Sequence, residues 1–241
     1  MGAPVSSSGA APHDLRIVTF NIKFGLHVDR AIDLLSRPGP LSGADVLVLQ
    51  EMDAPGTEAI ARALHLNYVY VPAAIHPASR RDFGVAILSP WPLERARKIL
   101  LPHRHRIRKM RRTAAVATVI TGVAPVRVYA VHFETPFGAS AESRQDQARA
   151  IADDARSAAG PIVVAGDFNG TTGARELEKA GFSWLTRDVH DTAGPLDADH
   201  ILVRNVCAAG EPPAAKARDL AHASDHSPVW AVVRPCVVPD R

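Results

Sequence analysis

The chain has 241 residues, 46% of them hydrophobic and 22% charged, and a formal net charge of +3 at pH 7. This balance is ordinary for a globular protein with a sizeable core. It excludes a bilayer-spanning segment, because no apolar stretch approaches the roughly 18 to 20 residues such a segment needs.

Residues 1–13 are rich in Gly, Ala, Pro and Ser, without the basic end and apolar core of a signal peptide. They are expected to be a disordered leader before a single domain over 14–236, with 237–241 as a tail. Strand-like runs rich in Val, Ile and Leu recur at 15–20, 45–50, 68–72, 84–89, 114–120, 126–133, 161–166, 200–206 and 228–233. The first ends in Thr19-Phe20-Asn21, and Asp29 then caps a short helix through Ser36. The second ends in Leu49-Gln50-Glu51, and Thr57 caps a helix through Leu64.

Further on, 103–112 reads HRHRIRKMRR, with six Lys or Arg and no acid. The basicity is local, since the remainder of the chain is slightly acidic. Such a run attracts phosphate backbones or an anionic membrane surface, or is simply a solvated loop. His132 closes the next run, and Ser140 caps a longer helix in which Ala148, Ile151, Ala152 and Ala155 share a face. The run 161–166 leads into Gly166-Asp167-Phe168-Asn169, and Thr171 or Thr172 starts a helix that stops near Gly181. Asp199 precedes another run, 208–217 is expected as a surface loop, and Ser224-Asp225-His226-Ser227 precedes the last run.

Two cysteines, Cys207 and Cys236, are too few and too far apart for a zinc site. Cys207 follows Asp199 by eight residues and Cys236 follows His226 by ten. If Asp199 and His226 meet at one strand end, the cysteines fall together at the other, where a disulfide would imply an oxidising compartment. Two unpaired thiols are the plainer alternative, and cytoplasmic and secreted locations both stay open.

Polar residues ending apolar strands point to one site at a sheet edge. Glu51, Asp225, Asp167, Asn21 and Asn169 offer only oxygen donors, which suit Mg2+ or Mn2+. A metal so held polarises a phosphoryl oxygen and stabilises a leaving oxyanion. His226 beside Asp225 is a candidate base, with Asp199 as its orienting partner. His132 is placed to contact a phosphate or protonate a leaving group. Taken singly, each has a plainer explanation as a turn or core residue; their joint presence and order carry the argument.

In that order the chain resembles the endonuclease/exonuclease/phosphatase superfamily. The matching stretches are TFNI (19–22), LQE (49–51), GVAILS (84–89), VHF (131–133), the helix with Arg144 and Gln147, AGDFN (165–169), DHILV (199–203) and SDHSPV (224–229). The resemblance implies an α/β (α+β) four-layer sandwich, two mixed β-sheets packed face to face with helices outside. It implies Glu51 as main metal ligand, supported by Asn21 and Asp225. Asp167 and Asn169 would position the attacking water and the phosphate, and His226, held by Asp199, would act as base or phosphate stabiliser. His132 would be the second histidine, and Asp82 falls where its carboxylate partner is expected.

The activity implied is a metal-dependent phosphodiesterase acting on nucleic acid as a monomer. The alternative is a phospholipid or inositol-phosphate phosphoesterase on the same scaffold. Aromatic content of 5% leaves few residues for a base-stacking pocket, and no aromatic hairpin for membrane insertion is visible.

Overall fold

The computed structural model describes residues 14–76, 80–218 and 221–236; the expected leader 1–13 and tail 237–241 lie outside the described residues. In chain order the elements are β1 (Leu15–Asn21), a 3-10 turn (Lys23–Gly25), α1 (Val28–Ser36), β2 (Val46–Met52), α2 (Ala54–Ala63), β3 (Asn67–Ile75), β4 (Asp82–Ser89), β5 (Leu93–Leu100), β6 (Thr113–Ile120) and β7 (Pro125–His132). They continue with α3 (Ala141–Ala155), β8 (Ile162–Asp167), α4 (Thr172–Lys179), β9 (Ser183–Trp184), β10 (Asp199–Arg204), β11 (Val206–Ala208), β12 (Ala214–Lys216) and β13 (Val229–Pro235).

The strands form two mixed sheets. One runs β11-β13-β1-β2-β4-β3, with β12 also on β13, and the other runs β5-β6-β7-β8-β10-β9. Three apolar layers hold this sandwich together. Ile17, Val48, Ile87, Val128, Val163 and Ile201 belong to the layer between the sheets. Phe20, Leu49, Leu34 and Ile60 join the first sheet to α1 and α2, while Tyr129, Val164, Ile151 and Leu177 join the second to α3 and α4. Central strands are apolar on both faces because both are covered, so they read as continuous hydrophobic runs.

Several local expectations need correction. The N-cap of α1 is His27, and Asp29 lies in its first turn. Asp53, not Thr57, caps α2, accepting from the Gly56 N–H at 2.8 Å. The Thr57 hydroxyl instead donates back to the Asp53 carbonyl at 2.8 Å. Ser140 does cap α3, accepting from the Ser143 N–H at 3.1 Å. Strand β5 went unseen because its sequence, LERARKIL, is charged and mostly exposed, as befits a sheet edge guarded against further pairing. The expected loop 208–217 contains β12, which pairs with β13 through Ala215↔Trp230.

Of the two alternatives for the cysteines, the structure has the disulfide. Cys207 is in register with Arg234 on β13, which brings it beside Cys236 with the Cα atoms 5.1 Å apart. Among the described residues, no helix is long and apolar enough to cross a membrane.

Candidate active site

Two parallel strand pairs decide where the site lies. In the first sheet β1 and β2 are parallel, with Asn21 opposite Gln50, so Asn21 and Glu51 finish at the same edge. In the second sheet β7 and β8 are parallel, with His132 opposite Asp167. Antiparallel β10 begins at that edge, Asp199 opposite Asp167. Strand β13 starts with Val229 opposite Thr19, so 224–228 enters from the same end. Carboxyl ends of parallel strands leave side chains converging on one crevice. Gly166 permits the close approach of β7 and β8: a Cβ there would lie 1.9 Å from the Val131 carbonyl oxygen, and its φ is +151°.

Asp167 is the hub joining the two sheets. Its Oδ2 accepts from Asn21 Nδ2 at 3.0 Å and lies 3.4 Å from His132 Nε2 and 4.0 Å from His226 Nε2. Its Oδ1 accepts from the Asn169 N–H at 2.7 Å. Asn169, held at φ 52°, donates its side-chain amide to the Phe133 carbonyl at 3.0 Å. Burial, and then the neighbouring Asp199 carboxylate, push Asp167 up to about 7, against the pull of His226 and the bonds from Asn169 and Asn21.

His226 binds the fully buried Asp199 through Nδ1 to Oδ2 at 2.8 Å. The other carboxylate oxygen of Asp199 is buried without a hydrogen-bond partner. Burial works to lower the His226 pKa, but Asp199, Asp167 and Asp225 overcome it and raise it to about 10. The imidazole is thus a cation among carboxylates.

Glu51 sits at an irregularity of β2 between Gln50 and Met52, with φ 55°. This break in the pleat re-aims its side chain at the strand end. Burial raises its carboxyl above the ordinary range, with Arg112, His226 and the Asn21 hydrogen bond pulling the other way and Asp225 adding to the rise. Asp225 is exposed and pairs with Lys23 Nζ at 3.1 Å; burial acts to raise its pKa, but Lys23, a backbone hydrogen bond and His226 together hold it below the usual value. These residues fit a hard divalent cation. The donors are oxygens, and a cation would stabilise the half-buried Glu51 carboxylate. Among the described residues no three of His, Cys, Asp and Glu close on one point. Magnesium takes one or two carboxylates and keeps several waters, so a full protein cage is not required.

Two residues went unread. Arg112 was one of six charges in the basic run, yet it is 5% exposed and sits among Glu134, His132 and the Phe83 ring. Glu134 is 1% exposed and accepts from Arg112 Nε and Nη2 at 3.3 and 3.2 Å. Asp82 is not the partner expected for His132: its carboxylate accepts from the Tyr70 hydroxyl at 2.9 Å, and Arg112 Nη1 meets His132 Nδ1 at 3.1 Å. Gln147 and Arg144 brace loops. Gln147 Oε1 accepts from the Glu134 N–H at 2.9 Å, and Arg144 Nη1 donates to the Ala139 carbonyl at 3.2 Å.

The model of the endonuclease/exonuclease/phosphatase family matches residues 18–226, and the chain belongs to that family of phosphate-ester hydrolases, which are generally dependent on divalent metals. A comparison with curated proteins returns no match. Among solved structures, the endonuclease/exonuclease/phosphatase from Beutenbergia cavernae is 20% identical, with a TM-score of 0.71, covering 92% of this chain and 72% of that one. A counterpart from Bacteroides vulgatus is 15% identical with a TM-score of 0.73, covering 93% and 100%. Sphingomyelinase C from Streptomyces griseocarneus is 20% identical with a TM-score of 0.67, covering 91% and 99%. At these identities the likeness establishes the shared fold.

Proposed function

We propose that the chain is a divalent-metal-dependent phosphodiesterase that hydrolyses nucleic-acid phosphodiester bonds by in-line attack of water. The observation that carries this reading is the convergence of Asn21, His132, His226 and Asp199 on or beside one buried carboxylate, Asp167. Glu51 would hold Mg2+ or Mn2+, supported by Asn21 and Asp225. The ion would supply Lewis-acid polarisation of the phosphoryl group. Asp167, poised near neutral pH, takes the proton of the attacking water, and Asn169 helps to place that water and the phosphate. The His226 cation, fixed by Asp199, stabilises charge developing on the phosphoryl oxygens.

Exposed Arg104, Arg106, Arg108 and Lys109 lie on the loop that ends at buried Arg112, so the phosphate-attracting surface adjoins the pocket. This supports a polyanionic backbone as substrate. A specific observation favours phospholipid as a second reading. Ile107 is 82% and Phe137 90% exposed, on loops joined by a 2.8 Å bond from the Arg106 N–H to the Gly138 carbonyl. Apolar tips ringed by cations suit an anionic lipid interface. The Cys207–Cys236 disulfide supports an oxidising compartment for either substrate.

Purified protein with Mg2+ or Mn2+ is to be assayed on supercoiled plasmid, an abasic-site duplex, sphingomyelin vesicles, inositol phosphates and a chromogenic diester. Plasmid cleavage with intact lipid is expected. Lipid turnover with intact plasmid would replace the first reading by the second, and no turnover of any substrate would overturn both.

A further inference from the structure

The two imidazoles beside Asp167 are held by groups of opposite sign. His226 donates its Nδ1 proton to the Asp199 carboxylate. His132 meets Arg112 at the corresponding atom, Nη1 to Nδ1 at 3.1 Å. A guanidinium donates and never accepts. His132 Nδ1 must therefore present its lone pair, and the ring proton belongs on Nε2, which lies 3.4 Å from Asp167 Oδ2. We infer that Arg112 is a positioning residue that locks His132 as a neutral imidazole with its proton on Nε2, making His132 a hydrogen-bond donor and not a proton-delivering acid.

The surroundings support this assignment on every side. Arg112 is itself fixed by Glu134, to which it donates from Nε and Nη2 at 3.3 and 3.2 Å. Glu134 Oε1 also accepts from the Thr135 N–H at 3.0 Å, so the guanidinium cannot swing away without leaving a buried carboxylate underbonded. The charged groups around His132 are Arg112 with Glu134 on one side and Asp167 and His226 on the other. Asp167 would favour an imidazolium, but its carboxylate also accepts from Asn21 Nδ2 and the Asn169 N–H and lies 4.0 Å from His226 Nε2. Burial first, then Arg112 and His226, hold His132 well below its ordinary range.

The consequence rests on the proposed phosphodiesterase, whereas the tautomer does not. Giving up the Nε2 proton would leave an imidazolate, so His132 orients Asp167 or a phosphate oxygen through Nε2–H. Any proton passed to the leaving oxygen comes from elsewhere. Two histidines at one carboxylate are thus held through Nδ1 by partners of opposite sign.

The test is imidazole 15N NMR on the whole protein, with His132 assigned by the signal lost in His132→Gln. The wild type is expected to show His132 as the neutral Nε2–H form from pH 5.5 to 8. Arg112→Met should release it, giving tautomer mixing or protonation within that range. Arg112→Lys, which keeps a donor, should restore the wild-type pattern. If Arg112→Met does not fold, Glu134→Gln, which loosens the guanidinium, should shift the pattern in the same direction. An Nδ1–H form or an imidazolium for His132 in the wild type at pH 7 would overturn the inference. So would an unchanged His132 pattern in a folded Arg112→Met or Glu134→Gln variant. Because no substrate or metal is needed, failure here is distinguishable from failure of the proposed reaction.

Discussion

Asp167 gathers its partners from strands far apart in the chain, and each is there for a local reason. Asn21 comes at the end of a strand buried on both faces, and His132 and Asp167 are in register on a parallel pair. His226 is fixed by a buried carboxylate on a neighbouring strand. Replacing His226 with Ala removes the cation facing Asp167 and should lower kcat/KM by roughly 10² to 10⁴, the usual scale for such groups. A folded variant with near wild-type rate would exclude His226 from the chemistry. These residues were legible in the sequence because each borders a Val, Ile and Leu-rich run, at its end for Asn21, His132 and Asp167 and before its start for Asp199 and His226, where a polar side chain is conspicuous. Arg112 and Glu134 were not. One was hidden in a run of like charges, and the other follows His132-Phe133 with no pattern to mark it. Only burial distinguishes a structural arginine from its solvated neighbours.

The strands differ in how they carry charge and polarity. On β10, His200 is fully buried, its Nε2 bound to the Asp197 carbonyl at 2.9 Å and its Nδ1 accepting from Trp184 Nε1 at 3.3 Å. Burial lowers its pKa to about 4, despite the opposing pull of Asp199 and Asp197. The unfolded chain, with an ordinary histidine pKa near 6.5, therefore binds the proton more readily. Stability must fall as pH drops from above about 6.5 towards 4, by on the order of 3 kcal/mol from this group. Comparing urea denaturation of wild type and His200→Gln at pH 7.5 and 4.5 isolates that share. The variant should lose less stability on acidification, and equal losses would contradict the neutral, buried assignment. Sequence patterning found the central strands because both faces are covered, giving unbroken apolar runs. It missed edge strand β5, whose residues face water and carry Glu94, Arg95, Arg97 and Lys98. The cap of α2 was misplaced because Thr57 and Asp53 both suit a helix start, and only the bond to the Gly56 N–H decides between them.

Across the whole molecule, two sheets with three apolar layers set the edge that carries the candidate site, while the disulfide fastens the far end. Cys207 and Cys236 close a loop with a sequence separation of 29, which in the chain-entropy model stabilises the fold by about 3 to 4 kcal/mol. Thermal melting with and without reductant should show a lower midpoint after reduction, matched by a Cys207→Ser/Cys236→Ser variant. Identical midpoints would mean the bond is unformed or idle. The sequence favoured unpaired thiols because the pairing depends on β11 lying against β13, a long-range contact that spacing alone does not specify. The sandwich itself was legible, since motifs spread from TFNI to SDHSPV constrain almost the full length.

The crevice holding residues 21, 51, 167, 169, 199, 225 and 226 is proposed to be one divalent-ion site that hydrolyses phosphodiesters. Its most direct test is hydrolysis of bis(p-nitrophenyl) phosphate as a function of Mg2+ or Mn2+ concentration, for wild type and Glu51→Gln. The wild type should show saturable activity that a chelator abolishes, and Glu51→Gln should need at least about tenfold more metal, the lower end of the cost of losing even a residue that only orients a metal ligand. Turnover indifferent to chelator, or superimposable metal curves for the two proteins, would contradict it.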